Sequence, residues 1–78
     1  MIKELERVAL TADLPRHSLV KDDVGTVVFV YPGGTGFEVE FFSLTGETIA
    51  VATVATGEIR PLRQREVAHA RSLEFVPA

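Results

Sequence analysis

Seventy-eight residues make one domain and leave no room for a second. The chain is 46% apolar, enough for a small packed core, and the absence of cysteine removes disulfides and thiolate metal sites. Eight basic against eleven acidic side chains give a net charge of −3, which argues against a binder driven by nucleic-acid phosphates. No apolar run approaches the ~20 residues of a membrane helix. Met1-Ile2-Lys3-Glu4 does not open like a signal peptide. The expectation is a soluble, cytoplasmic domain that carries no metal or other cofactor.

In chain order, Arg7-Val8-Ala9-Leu10-Thr11 reads as a first strand. Asp13-Leu14-Pro15-Arg16-His17-Ser18-Leu19 is an irregular loop, and Leu19–Gly25 turns into the next strand. Gly25-Thr26-Val27-Val28-Phe29-Val30-Tyr31 carries the strongest local signal, dense in β-branched and aromatic residues and bounded by Asp22-Asp23 and Pro32-Gly33-Gly34. The glycines of Pro32-Gly33-Gly34-Thr35-Gly36 permit positive φ, so a tight hairpin with a bulge is expected. Phe37-Glu38-Val39-Glu40-Phe41 alternates strictly, with one buried and one wet face.

A second hairpin passes through Leu44-Thr45-Gly46-Glu47 into Thr48–Val54. There Ile49, Val51 and Thr53 share one parity and Ala50, Ala52 and Val54 the other. Both parities lack charge, so the strand is buried on both sides or forms a contact surface. Ala55-Thr56-Gly57-Glu58 turns into a short last strand, Ile59-Arg60-Pro61-Leu62. Pro61 cannot donate to a ladder, so that strand is short or at an edge. Five short strands at spacings near ten residues predict a small barrel or sandwich.

The tail differs in composition. Arg63–Leu73 is built of helix formers without glycine or proline, with a thin apolar stripe of Val67, Ala70 and Leu73. Residues 1–58 hold four basic and nine acidic side chains, a net of −5, and residues 59–78 hold four basic and two acidic, a net of +2. The basic tail either lies on the acidic body of its own or a neighbouring molecule, or is a solvated terminus.

Val8-Ala9-Leu10-Thr11, Asp13-Leu14-Pro15, Asp22-Asp23-Val24-Gly25-Thr26-Val27-Val28, Phe37-Glu38-Val39-Glu40-Phe41, Gly46-Glu47-Thr48-Ile49-Ala50 and Ile59-Arg60-Pro61-Leu62 occur in this order. Together they resemble the DUF4926 family of small uncharacterised bacterial proteins, over roughly residues 5–62. The resemblance implies an SH3-like β-barrel. More distantly, the Asp-x-Gly-x-Val turn followed by a Glu-Val-Glu-Phe strand is similar to the SH3-like part of the nitrile hydratase β subunit and to KOW-type modules. Such barrels host many unrelated activities, so the likeness implies a fold and little function.

Candidate chemistry is sparse. His17-Ser18, with Asp13, Asp22 and Asp23 close in sequence, resembles a nucleophile set only on paper, since adjacent residues of one loop rarely converge as catalysis requires. His17 and His69 without cysteine do not make a zinc site. Asp22 and Asp23 lack the alternating oxygens and distal glutamate of a hard-cation loop. Pro32–Gly36 lacks the Lys-Ser/Thr and the helix of a phosphate cradle. Neither catalytic nor cofactor-binding residues are therefore assigned.

What remains is surface. If Val28 and Val30 point inward, Phe29 and Tyr31 project outward beside Phe42 and form an apolar centre, and Glu38, Glu40 and Glu47 give it an acidic rim. The core is then Val8, Leu10, Val28, Val30, Phe37, Val39, Phe41, Ile49 and Val51. The expected fold is an all-β, five-stranded SH3-like barrel over residues 1–62, with residues 63–78 as a C-terminal tail or short helix. The expected function is non-catalytic protein binding through Phe29, Tyr31, Phe42, Glu38, Glu40 and Glu47, toward a protein partner or a second copy as a homodimer. Alternatives are an antitoxin- or immunity-like neutralising partner of a neighbouring protein, and a KOW-like nucleic-acid module, which the acidic body disfavours.

Overall fold

The computed structural model describes residues 1–73. Five antiparallel strands form one sheet: β1 (Arg7–Leu10), β2 (Val24–Val30), β3 (Gly36–Phe42), β4 (Thr48–Ala55) and β5 (Ile59–Pro61). Their order across the sheet is β4-β3-β2-β1-β5. Among the described residues there is no α-helix, only 3-10 turns at Pro15–His17, Pro32–Gly34 and Thr56–Glu58.

β5 is three residues long and lies at the sheet edge, where the missing N–H of Pro61 is tolerated. β4 is the opposite edge. The expected closure into a barrel is not made by hydrogen bonds, because the ladder stays open between β4 and β5. They are joined by the Thr56–Glu58 turn, in which the Glu58 carboxylate accepts the Ala55 N–H at 2.8 Å. In the β2–β3 turn, Gly33 and Gly34 take φ of 75° and 67°, a region that side chains enter only with strain.

The core is Val8, Leu10, Leu19, Val27, Phe37, Val39, Phe41, Ala52, Val54 and Ile59, with Ile2, Leu14, Val30 and Ala50 packed against it. A bulge in β2 and the cross-strand pairing of β4 correct the inward assignment read from the sequence. In β2 the register shifts between Val27 and Phe29, so Val28 has no direct partner in β3. Val27 is therefore fully buried, Val28 is exposed, and Val30 returns to the inner side. In β4 the inward set is Ala50, Ala52 and Val54, leaving Ile49 half-buried and Val51 exposed. The reason lies across the ladder, where Phe41 faces Ala50, Val39 faces Ala52 and Phe37 faces Val54. Directly opposed residues share a face, and the large β3 side chains leave room only for small partners.

The helical stripe expected after Arg63 does not become a helix. Arg65 takes a φ of 65°, which breaks a right-handed helix, and Arg63–Leu73 runs as turn and extended chain.

Candidate functional site: the outer face of strands 2 to 4

The bulge that lets both Val27 and Val30 face the core also decides what stands outside. Phe29 projects from β2 directly opposite Glu38 of β3, and Glu38 in turn faces Thr53 of β4. A second row sets Thr26, Glu40 and Val51 side by side. Tyr31 follows Phe29 by two positions and packs against it edge to face, with ring centroids 5.0 Å apart and planes at 79°.

Hydroxyls fix the carboxylates of this face. Glu38 Oε2 accepts the Tyr31 phenol at 2.5 Å and the Thr53 hydroxyl at 2.6 Å. Glu40 Oε2 accepts the Thr48 hydroxyl at 2.7 Å. The Thr53 and Tyr31 hydrogen bonds favour the ionised form of Glu38 and hold its carboxyl below the ordinary carboxylate range. The same bond to Glu38 pushes the Tyr31 phenol up, so the ring keeps its proton. Among the described residues, neither Glu38 nor Glu40 has a cationic partner; the ion pairs there are Arg60 with Asp22 and Glu66, and Arg71 with Asp23.

The residues expected to act together are partly assembled. Phe29, Tyr31 and Glu38 touch as one cluster, and Glu40 lies in the adjacent row. Phe42 is exposed at the far end of β3, four residues from Glu38, or roughly 13 Å along the strand. Glu47 stands in the β3–β4 turn, before β4 begins, where its N–H donates to Ser43 Oγ at 3.0 Å. Val28 and Val51 were not expected on the exposed side. Their signal is absent from the sequence, since a bulge within Val27-Val28-Phe29-Val30 leaves composition unchanged.

The loop that carried the nucleophile-like residues is occupied with holding itself. Asp13 Oδ1 accepts the Lys21 N–H at 2.9 Å, and Asp23 Oδ2 accepts the Val20 N–H at 2.9 Å. Arg71 Nε donates to Asp23 Oδ1 at 2.9 Å and brings the tail against its own body. Burial alone would raise the Asp23 carboxyl, but the bonds from Arg71 and Val20 outweigh it and hold it below the ordinary range. Shallow depressions beside this loop are lined by Asp13, Ser18 and Arg71 on one side and by His17, Thr53 and Glu58 on another. Among the described residues no helix is long and apolar enough to cross a membrane.

No curated protein and no solved structure matches the chain. One family model does match, over most of the chain. By that match across residues 4–61, the protein belongs to the family described as Domain of unknown function (DUF4926).

Proposed function

We propose that the protein is a non-catalytic contact module of SH3-like type, and that the outer face of β2, β3 and β4 binds a protein, either a distinct partner or a second copy. One observation carries the reading. Val28, Phe29, Phe42 and Val51 are 39%, 44%, 45% and 51% exposed on strands whose other side packs into the core. Clustered exposed aromatics and aliphatics mark contact surfaces. Phe29, Tyr31 and Phe42 supply the apolar contacts, and Glu38, Glu40 and Glu47 the charge that orients a partner. The strand order β4-β3-β2-β1-β5, with a 3-10 turn leading into a short last strand, supports the SH3-like arrangement.

The net charge of −5 over residues 1–58 also favours a second reading, a neutralising partner of a basic protein encoded nearby. Light scattering across a concentration series, paired with a pull-down from native lysate, tests both. A mass that rises with concentration supports self-association. A stoichiometric protein retained by the wild type and lost from Phe29→Ser supports a distinct partner. A strict monomer that retains nothing contradicts the proposal.

A further inference from the structure

The outer face holds a corner whose chemistry is narrower than general stickiness. The planes of Phe29 and Tyr31 meet at 79° with centroids 5.0 Å apart. Glu38 is directly across the ladder from Phe29 and is bonded to the Tyr31 hydroxyl. Glu40 lies one row further along the same side of β3. Both carboxylates are oriented by hydroxyls through Oε2, and neither meets a cation among the described residues.

The contrast with the rest of the surface is informative. Asp22, Asp23 and Glu66 each have an arginine within 4 Å, whereas Glu38 and Glu40, like the other described carboxylates, have none. What sets the outer face apart is that Glu38 is fixed by hydroxyls against the Phe29–Tyr31 pair, with Glu40 fixed by Thr48 in the next row. Ring faces carry negative electrostatic potential and attract cations, and an adjoining carboxylate adds a second attraction from the side. A planar guanidinium fits both, because it stacks on a ring while its N–H groups donate to the carboxylate.

We infer that the corner formed by Phe29, Tyr31 and Glu38, with Glu40 beside it, takes an arginine side chain presented by a basic segment of a partner protein. This rests on the proposed reading of the outer face as a contact surface and names the chemistry that the face selects. The net charge of −5 over residues 1–58 draws such a segment in and repels nucleic acid.

The test uses the full chain and a defined probe, an N-acetylated, C-amidated peptide of alternating arginine and glycine with three arginines, followed by NMR. Saturable shifts are expected at Phe29, Tyr31, Glu38 and Thr53. Phe29→Leu, which keeps an apolar side chain but removes the π face, is expected to weaken binding about two- to fivefold. Glu38→Gln is expected to weaken it comparably. Asp22→Asn, off the face and at a φ of 76° that asparagine accepts, is expected to leave it unchanged. The same peptide with citrulline for arginine is expected not to bind.

Equal binding of the citrulline peptide, unchanged affinity in Phe29→Leu and Glu38→Gln, or shifts centred on Asp13, Asp22 and Asp23 would each overturn the inference. Both variants change exposed or half-exposed side chains, so a dispersed amide spectrum distinguishes lost binding from lost fold. A protein captured through this face by the wild type and by Phe29→Leu alike, but not by Phe29→Ser, would sustain the contact surface while refuting the arginine corner.

Discussion

Phe41 of β3 stands directly across the ladder from Gly25 of β2, and its ring fills the space a side chain at position 25 would need. A Cβ at that position would lie 2.9 Å from Phe41 Cδ1, 2.9 Å from the Glu40 carbonyl oxygen and 2.6 Å from Val39 Cγ1. The glycine is there for close approach of two strands, so Gly25→Ala should destabilise by ~1–3 kcal/mol through overpacking. Urea denaturation reads this as a lower midpoint with an unchanged slope. The complementary change, Phe41→Ala, should cost roughly 3–5 kcal/mol. That is a large part of the ~5–15 kcal/mol of a typical domain, and an unfolded variant is expected by circular dichroism.

The β2 bulge makes neighbouring valines unequal. Val27 is fully buried and Val28 is 39% exposed. Val27→Ala removes two buried carbon atoms and should cost about 1.5–3 kcal/mol once the cavity is included. Val28→Ala should stay within about 0.5 kcal/mol of the wild type. Chemical denaturation of the pair checks the register, and equal losses would remove the bulge from the account.

Glu66 is held down at about 2 by the Arg60 guanidinium, with help from the Arg63 N–H. Its folded value lies below its ordinary one. The contribution of this pair to stability is therefore present above the ordinary carboxylate range and is lost as pH falls toward 2. An NMR titration of the Glu66 carboxyl should show this low midpoint, and Arg60→Gln should raise it toward the ordinary range, with the Arg63 N–H bond still holding it somewhat below. The pair lies at the surface with both side chains partly exposed, so the accompanying change in overall stability should be small.

Arg71 fastens the tail to the body through Asp23 and the Ser18 carbonyl. Asp23→Asn should free this stretch without unfolding the sheet. Limited proteolysis should then cleave after Arg63, Arg65 or Arg71 faster than in the wild type, with the 1–62 portion intact. Acid should act in the same direction, because the Asp23 carboxyl is held below its ordinary value and the contact persists until pH falls through that lowered value.

Strand positions were legible because alternation and turn chemistry agreed. Phe37, Val39 and Phe41 alternate with Glu38 and Glu40, and that strand faces the core as expected. The inward residues of β2 and β4 were not legible. Val27-Val28-Phe29-Val30 is apolar throughout, and Ile49 to Val54 has no charge to mark a wet side, so bulges and cross-strand volume decided the matter. Within the site, outward Phe29 followed from parity by a wrong route, since Val28 is not inside. The hydroxyl bonds of Tyr31, just past β2, and of Thr53 in β4 to Glu38 in β3 leave no trace in local sequence.

The most direct test of the contact face is a photo-crosslinking amino acid placed at position 29 of the full chain in its native cell. Position 67, an exposed tail site outside the sheet, serves as the control. A discrete protein adduct, or a covalent dimer, is expected from position 29 and none from position 67. Identical diffuse labelling from both positions, or no adduct at position 29, would contradict a contact role for this face.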